Sequence, residues 1–439
     1  MDNKTIEAKK WLDKRYTKTQ DGRYFGHQPI YGYDSKHSEP NVILRLARTY
    51  QLLKVLSKLS FESFLDIGGG EGYTAALVSD LFGAESYSLD ISTDACLRAR
   101  EMFHVRAAAA DSATLPVKDK SYDLVLCSEV IEHLSRPVLT MSELKRVARK
   151  YVVLTTYEFC SLGKLERWLR LNQLDAAYPH EERNWFTTQD FKTIFSEDIL
   201  LLSQMDNLGG RIATFFEGLS LEKHQIQKAL SYLTRDTSLD VNHDGVIVVV
   251  PIEGGQTNTL EAGSLVVGEN FSAEVFARIL SPITEWIKEK KLEDFPSLDL
   301  IQNLICPACR HHLILQTESL QCAGCKRLHR FVKGVPEMFL ELDDSEYANQ
   351  RKAAAIAQLA GGDQPRTRKL ELLWEFLHGD RPITMNPFRR SLAGFGLRLL
   401  WFYKRPGNLA SKARRVIRRV LNKPPSEFDR VAQIISEVG

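Results

Sequence analysis

Phe64-Leu65-Asp66-Ile67-Gly68-Gly69-Gly70-Glu71-Gly72-Tyr73 is a short apolar run that ends in an acid and then enters a triple glycine. It reads as a strand, a tight turn and the start of a helix. Glycine at Gly68, Gly70 and Gly72 lets the backbone take positive φ and lets a ligand come close where a side chain would block it. The helix that follows points its free amides at that ligand. The dinucleotide fingerprint needs its third glycine three residues after the second, and Tyr73 stands there, so the spacing is G-x-G-x-G. Alone, the glycines fit a simple turn as well as a binding loop, and the flanking pattern must decide.

Upstream, Ile43, Leu44, Leu46, Leu52, Leu53, Val55 and Leu56 recur at helical spacing, which predicts a helix over Val42 to Leu59. Met1 to Pro40 is polar and aromatic and turn-rich around Gly22, Gly26 and Gly32, either a lid or an arm packed on the surface. Downstream, strands are expected at Glu85 to Ile91, Val105 to Ala109, Ser121 to Cys127 and Tyr151 to Thr156, with helices at Asp94 to Phe103 and Leu139 to Ala148. Ser121 to Cys127 is a near-continuous apolar run, as suits a strand covered on both faces. Five alternations of this kind define an α/β protein with a doubly wound parallel sheet.

Polar groups fall at the strand tips where ligands bind in such sheets. Asp90 follows Gly68 by 22 residues, the separation at which an acid accepts hydrogen bonds from a ribose diol. Asp111-Ser112 ends the third strand and Ser128-Glu129-Val130-Ile131-Glu132-His133-Leu134 the fourth. No P-loop lysine is nearby, which favours a sulfonium nucleoside over a nucleoside triphosphate.

Leu65-Asp66-Ile67-Gly68-Gly69-Gly70-Glu71-Gly72, Asp90, Asp111, Tyr122-Asp123-Leu124-Val125 and Glu129 to Leu134 together resemble a class I S-adenosylmethionine-dependent methyltransferase, of the branch that includes quinone, sterol and glycan methylating enzymes. The resemblance implies a seven-stranded Rossmann-like sheet, with Ile199 to Asp206 and Gly245 to Ile252 as an antiparallel edge pair and a largely helical stretch over Ile212 to Asp236 between them. It implies that Asp66, Gly68, Gly70 and Gly72 surround the methionyl part of the cofactor. Asp90 would bind the ribose, Asp111 and Ser112 would approach the adenine, and Ser128 and Glu129 would border the transferred methyl group. Tyr178 to Phe186 is where that family places acceptor-facing residues. Methyl transfer is an in-line displacement, so positioning carries most of the catalysis. For a hydroxyl acceptor a base helps, and His27, His37, His133, His180 and Glu129 are the candidates, with His133 alternatively a loop-orienting residue.

Gly254 to Phe295 reads as a connector with a helix around Ala273 to Glu289. Beyond it, Cys306-Pro307-Ala308-Cys309 and Cys322-Ala323-Gly324-Cys325 are two C-x-x-C knuckles with twelve residues between them. Four thiolates at this spacing suit tetrahedral structural zinc, while a disulfide or redox reading lacks an oxidising or thioredoxin-like context. Sulfur then fills the coordination shell, which leaves His311, His312 and His329 as surface residues. Cys96, Cys127 and Cys160 read as inert buried thiols. Leu304 to Met338, closed by Gly334-Val335-Pro336, resembles the zinc-ribbon activator of tRNA and rRNA methyltransferases, with Val335 where that family usually has Ile.

Glu346 to His378 is expected to be helical with a break at Gly361-Gly362. Arg381 to Lys423 carries twelve Lys and Arg and no Asp or Glu, so the overall charge of +2 conceals −10 on the remainder. There apolar and cationic residues alternate around helical faces, which suits an anionic membrane surface, RNA phosphates, or docking on this protein's own acidic remainder. With 439 residues and 44% apolar content the chain is large enough for several cored domains, and no signal peptide or spanning helix is evident, so a cytoplasmic location is expected. The expected division is an arm or lid at 1–40, a methyltransferase domain at 41–255, a linker and helix at 256–300, a zinc ribbon at 301–340 and a helical, basic region at 341–439. The expected activity is methylation of a hydroxyl on a glycan or lipid-linked intermediate at the cytoplasmic membrane surface. An RNA or translation-factor methyltransferase and a non-catalytic cofactor-binding scaffold are the alternatives.

Overall fold

The computed structural model describes residues 1–34, 42–157, 180–195, 199, 201–205, 222–233, 245–253, 255, 269–282, 298–340, 345–378, 391 and 395–396. Helix α1 (Asn3–Tyr16), a small hairpin of β1 (Thr19–Gln20) and β2 (Arg23–Tyr24), and helix α2 (Val42–Leu56) precede the sheet. Next come β3 (Ser63–Ile67), α3 (Tyr73–Phe82), β4 (Glu85–Asp90), α4 (Thr93–Phe103), β5 (Arg106–Ala109), a 3-10 turn (Ser112–Thr114), β6 (Tyr122–Ser128), α5 (Pro137–Val147) and β7 (Ala148–Tyr157). Helix α6 (Thr188–Phe195), β8 (Leu201–Met205), α7 (Lys223–Leu233) and β9 (Gly245–Pro251) complete the unit.

Seven strands run in the order β5-β4-β3-β6-β7-β9-β8. Strands β3 to β7 pair in parallel, and β9 lies antiparallel to both β7 and β8. The strands are apolar on both sides because both faces are covered. Phe64, Leu124, Leu126, Val153 and Val249 pack on one side with α2, α3 and α4. Leu65, Val125, Val152, Leu154 and Val248 pack on the other with α5 and α6. Of the helical stretch expected between β8 and β9, α7 is the part that is described.

Helix α1 departs from the turn-rich reading of the first forty residues. The Asp2 carboxylate caps it by accepting from the Thr5 amide at 2.8 Å. Its apolar face is narrow, with Leu12 and Tyr16 buried against Ala95, so the periodicity that marks α2 is weak here. The connector also does more than link. Helix α8 (Glu269–Leu280) packs Val275, Phe276 and Ile279 into the α2 side of the core, and Phe276 stacks on Tyr50 with centroids 4.5 Å apart.

After α9 (Leu298–Asn303), strands β10 (Leu313–Leu315), β11 (Ser319–Cys322), β12 (Leu328–Val332) and β13 (Val335–Pro336) form an antiparallel sheet. This unit is joined to the edge of the large sheet. The Met338 amide donates to the Ala109 carbonyl at 2.8 Å, and Glu337 bridges Ala109 in parallel. The Ile305 amide donates to the Pro116 carbonyl at 2.9 Å. Among the histidines expected at the surface, His311 and His312 are exposed, but His329 is buried. It stands opposite the fully buried Leu320, on the inward face of the small sheet, and burial depresses its pKa to about 4, so the ring is neutral.

Helices α10 (Ser345–Ala360) and α11 (Gln364–His378) are separated at Gly361 and Gly362, both with positive φ, as the sequence pattern requires. Ile356, Leu359, Leu370 and Trp374 join the α5 side of the core. The basic stretch Arg381 to Lys423 lies outside the described residues, apart from positions 391 and 395–396. No helix among the described residues is long and apolar enough to cross a membrane.

Candidate active site

A cavity of about 340 Å³ opens at the C-terminal ends of β3, β4, β5 and β6, roofed by α1. Its floor is the glycine turn. Gly68 has φ 73° and donates its amide to the Leu89 carbonyl at 2.7 Å, and a Cβ there would come within 2.4 Å of Val130. Gly70, at φ 54°, donates to Asp90 Oδ2 at 2.9 Å, while Ser92 donates to Asp90 Oδ1 at 2.7 Å. The second-strand acid therefore shapes the turn. Burial raises the Asp90 carboxyl to about 6, against the pull of these two amides.

Gly68, Gly70, Asp90, Asp111, Ser112, Ser128 and Glu129 all line the cavity, whereas Asp66 and Gly72 do not. Asp66 is buried behind the turn, near Ser88, and desolvation raises its carboxyl to about 8. Gly72, at φ 81°, caps α3, with Ala99 where a Cβ would stand. Asp111 accepts from the Ala113 amide at 2.9 Å and pairs with Arg136 at 3.0 Å. Ser112 shares a hydrogen bond with Thr140, and Ser128 one with Thr155 at 2.7 Å. Glu129 has φ 56°, which turns the fourth-strand tip over the cavity, and its carboxylate pairs with Arg48 at 2.5 Å.

The three described histidine candidates come together, and His37 lies outside the described residues. The His133 and His180 rings stack with centroids 4.1 Å apart, and His27 sits 5.9 Å from His180. Trp11 of α1 stacks on the other side of His180 at 5.2 Å. All three imidazoles line the cavity. Burial holds His133 down to about 4 and His180 to about 3, and pushes His27 well below its ordinary range. Arg15 Nε donates to His27 Nε2 at 2.5 Å, which requires that nitrogen to be unprotonated. The rings are thus neutral near pH 7. Glu129, in contrast, is held by Arg48.

Other lining residues were given no individual role from the sequence. Tyr16, Arg45, Arg48, Glu132, Arg136 and Arg183 enter the cavity from four separate segments. Glu132 is 1% exposed, and burial together with Glu129 raises its carboxyl well above the usual range. Arg183 belongs to the Tyr178 to Phe186 segment, which was expected to face the acceptor and is described from His180 onward.

A parallel sheet with a glycine turn, a second-strand acid at its tip and a cavity across four strand ends is the arrangement in which doubly wound α/β folds bind nucleoside ligands. Residues 65–154 match the family model of a methyltransferase domain. Over 156 residues the chain is 28% identical to a malonyl-[acyl-carrier protein] O-methyltransferase of Marinomonas sp. (strain MWYL1), a match spanning 34% of this chain and 56% of that protein. Among solved structures, magnesium protoporphyrin IX methyltransferase from Synechocystis PCC 6803 aligns at 16% identity and TM-score 0.31, covering 48% of this chain and 85% of that one. A chain of the complex between the Haloferax volcanii Trm112 methyltransferase activator and its methyltransferase aligns at 16% identity and TM-score 0.33, covering 47% and 93%.

Away from the cavity, the thiols of Cys306, Cys309, Cys322 and Cys325 all lie within 4.8 Å of one another. Cys306 and Cys325 are 3.7 Å apart and Cys309 and Cys322 are 3.3 Å apart. Tetrahedral zinc with bonds of about 2.3 Å places its sulfurs about 3.8 Å apart, so the four thiols fit that ion. Two of the four are buried and none faces the methyltransferase cavity.

Proposed function

We propose that this protein is an S-adenosylmethionine-dependent O-methyltransferase whose acceptor is a hydroxyl on a glycan or lipid-linked intermediate. The observation that carries the reading is a single cavity with Asp90 and Asp111 at the tips of adjacent strands and three neutral imidazoles facing the fourth. When bound, the cofactor supplies an electrophilic methyl group on a sulfonium centre.

The chain's own contributions follow from the geometry. Asp90 still has lone pairs free on both oxygens after accepting two amides, and would take the ribose hydroxyls. Gly68 and Gly70 keep the floor clear of side chains, Asp111 and Ser112 would border the base, and Ser128 and Glu129 the methyl group. Asp66 and Gly72 would act through the turn's shape. His133, with His180 stacked against it, is the residue best disposed to take the acceptor's proton, and His27 would orient the acceptor. Because α1 forms the roof, the first residues would serve as a lid that keeps water out during transfer. Zinc on the four cysteines would be structural, since all four positions are filled by protein sulfur. The lipid-linked part of the reading is supported by the basic, apolar sequence after Arg381.

Calorimetry with S-adenosylmethionine tests the core of this. Micromolar binding that Asp90→Ala abolishes is expected, and a folded wild-type chain that does not bind the cofactor would overturn it. Flotation with anionic liposomes tests the acceptor's setting, since deletion from Arg381 onward should release the protein.

A further inference from the structure

We propose that the corner of the cavity formed by Arg183, His133, His180 and His27 is an oxyanion-binding subsite, and that the acceptor carries a phosphate ester or a carboxylate there. The inference rests on the cavity being the methyl-transfer site and adds a charge requirement to its substrate.

Arg183 is unlike the other cavity arginines. Arg48 is matched by Glu129, and Arg136 by Asp111 and Asp2. Among the described residues, no carboxylate or carbonyl lies within pairing distance of the Arg183 side chain, although it lines the cavity. Its backbone is firmly placed. The Arg183 and Asn184 amides both donate to the Glu132 carbonyl, at 2.7 and 2.9 Å, and Asn184 Nδ2 donates to the carbonyls of Ile131 and Leu134 at 2.9 and 2.7 Å. Trp185 and Phe186 are buried immediately after it. A guanidinium presented to a cavity from so fixed a segment loses little freedom when it binds, which is the condition for an effective anchor.

Its neighbours favour an anion. The charged groups that press on the three imidazoles are Arg15, Arg45 and Arg183. The rings are neutral, so each carries one N–H: that of His133 is drawn to the backbone of Glu181 and His180, while His27 Nε2 accepts from Arg15 and leaves its N–H on Nδ1. The cavity's carboxylates are engaged elsewhere: Asp90 by two amides, Asp111 by Arg136 and Glu129 by Arg48. Glu182, also at the cavity wall, raises the Glu132 carboxyl. The Arg183 guanidinium therefore stands among neutral rings, in a partly dry setting where charge-assisted hydrogen bonds are strongest.

The test uses the full-length protein saturated with S-adenosylhomocysteine and titrated calorimetrically with inorganic phosphate and with acetate at constant ionic strength. Wild type should bind at least one of them, and Arg183→Gln should weaken that binding on the order of ten- to a hundredfold. Arg183→Lys should recover part of the loss. Tighter phosphate binding would assign a phosphorylated acceptor, and tighter acetate binding a carboxylate. Unchanged S-adenosylhomocysteine affinity in Arg183→Gln verifies that the fold persists. If wild type binds neither anion, or Arg183→Gln binds them as well as wild type, the subsite is wrong while the methyltransferase assignment stands. If the nucleoside itself fails to bind, the same anion titrations on cofactor-free protein still decide the subsite.

Discussion

The imidazoles of His133 and His180 stack at 4.1 Å, with planes 27° apart, although they come from separate loops. The two rings cannot both carry a charge without repelling each other, and burial already holds both far below 6.5. A base of this kind is fully available above about pH 5. The kcat profile is therefore expected to be flat from pH 6 to 8, and His133→Ala is expected to lower kcat by about 10²- to 10⁴-fold. A profile with its acid limb near 6.5 that disappears in His133→Ala would place the ring's pKa elsewhere and contradict this geometry.

Asp90 should make cofactor affinity depend on pH. Ribose hydroxyls bind the ionised carboxylate best, and the free carboxyl titrates at about 6. Affinity is then constant above pH 7 and falls as pH drops through 6, by up to about tenfold per unit. Calorimetry at pH 5 and 7.5 measures this, and Asp90→Asn should bind weakly at both. Equal wild-type affinities at the two pH values would rule out the carboxylate as the titrating contact.

Asp66 predicts a stability effect of the opposite kind. Its folded pKa of about 8 lies above the ordinary 3.8, so the folded chain keeps a proton that the unfolded chain releases. Its contribution is most favourable to folding at low pH and declines as pH rises from about 4 to 8. Asp66→Asn removes this dependence, so its melting temperature relative to wild type should rise between pH 5 and pH 8. The same difference at both pH values would argue against a protonated Asp66.

Gly72 and Gly83 form a matched pair. Both have left-handed backbones, but a Cβ at Gly72 would lie 2.7 Å from the Ala99 Cβ, whereas Gly83 faces open space. Gly83→Ala should cost about 1–2 kcal/mol from backbone strain alone. Gly72→Ala adds a clash between α3 and α4 and should cost more. Denaturant melts of the two variants compare them directly, and equal losses would mean that the α3–α4 packing yields easily.

Four cysteines set to share one ion would tie metal to folding. Elemental analysis should find one zinc per chain, and a strong chelator or Cys322→Ser should lower the melting temperature, because binding energy at such a site is folding energy. A well-folded, zinc-free preparation with an unchanged melting temperature would remove the assignment.

Much of this architecture was legible because strands covered on both faces announce themselves. The apolar runs at Ser121 to Cys127 and Gly245 to Ile252 and the glycine turn each carry a local signal, and the acids at Asp90 and Asp111 fall at fixed distances from it. Helix α1 was not legible, since a helix that buries little more than Leu12 and Tyr16 has almost no periodic stripe. Arg183 and Tyr16 illustrate a different limit. Tyr16 sits in no motif and Arg183 is marked only by its loop, and they reach the cavity because Asn184 pins that loop and Arg98 holds the other segment through the Phe25 carbonyl and the Tyr16 ring. Such contacts join residues distant in the chain. His329 turned inward for a comparable reason, its burial being set by strand register rather than by its neighbours in sequence.

The hydrogen bond from Met338 to Ala109 also has a bearing on how the chain assembles. Strands β3 to β6 can pair as soon as the first third of the protein exists, yet the outer side of β5 gains its cover only after the cysteine-bearing sheet has been synthesised. Until then a parallel edge with free backbone donors and acceptors faces solvent, a known template for mispairing. Contacts of such long sequence separation form slowly. Truncation before Leu304 is therefore expected to yield a chain that pairs with other copies of itself through β5, making the small sheet a guard of the nascent protein as well as a part of the finished one.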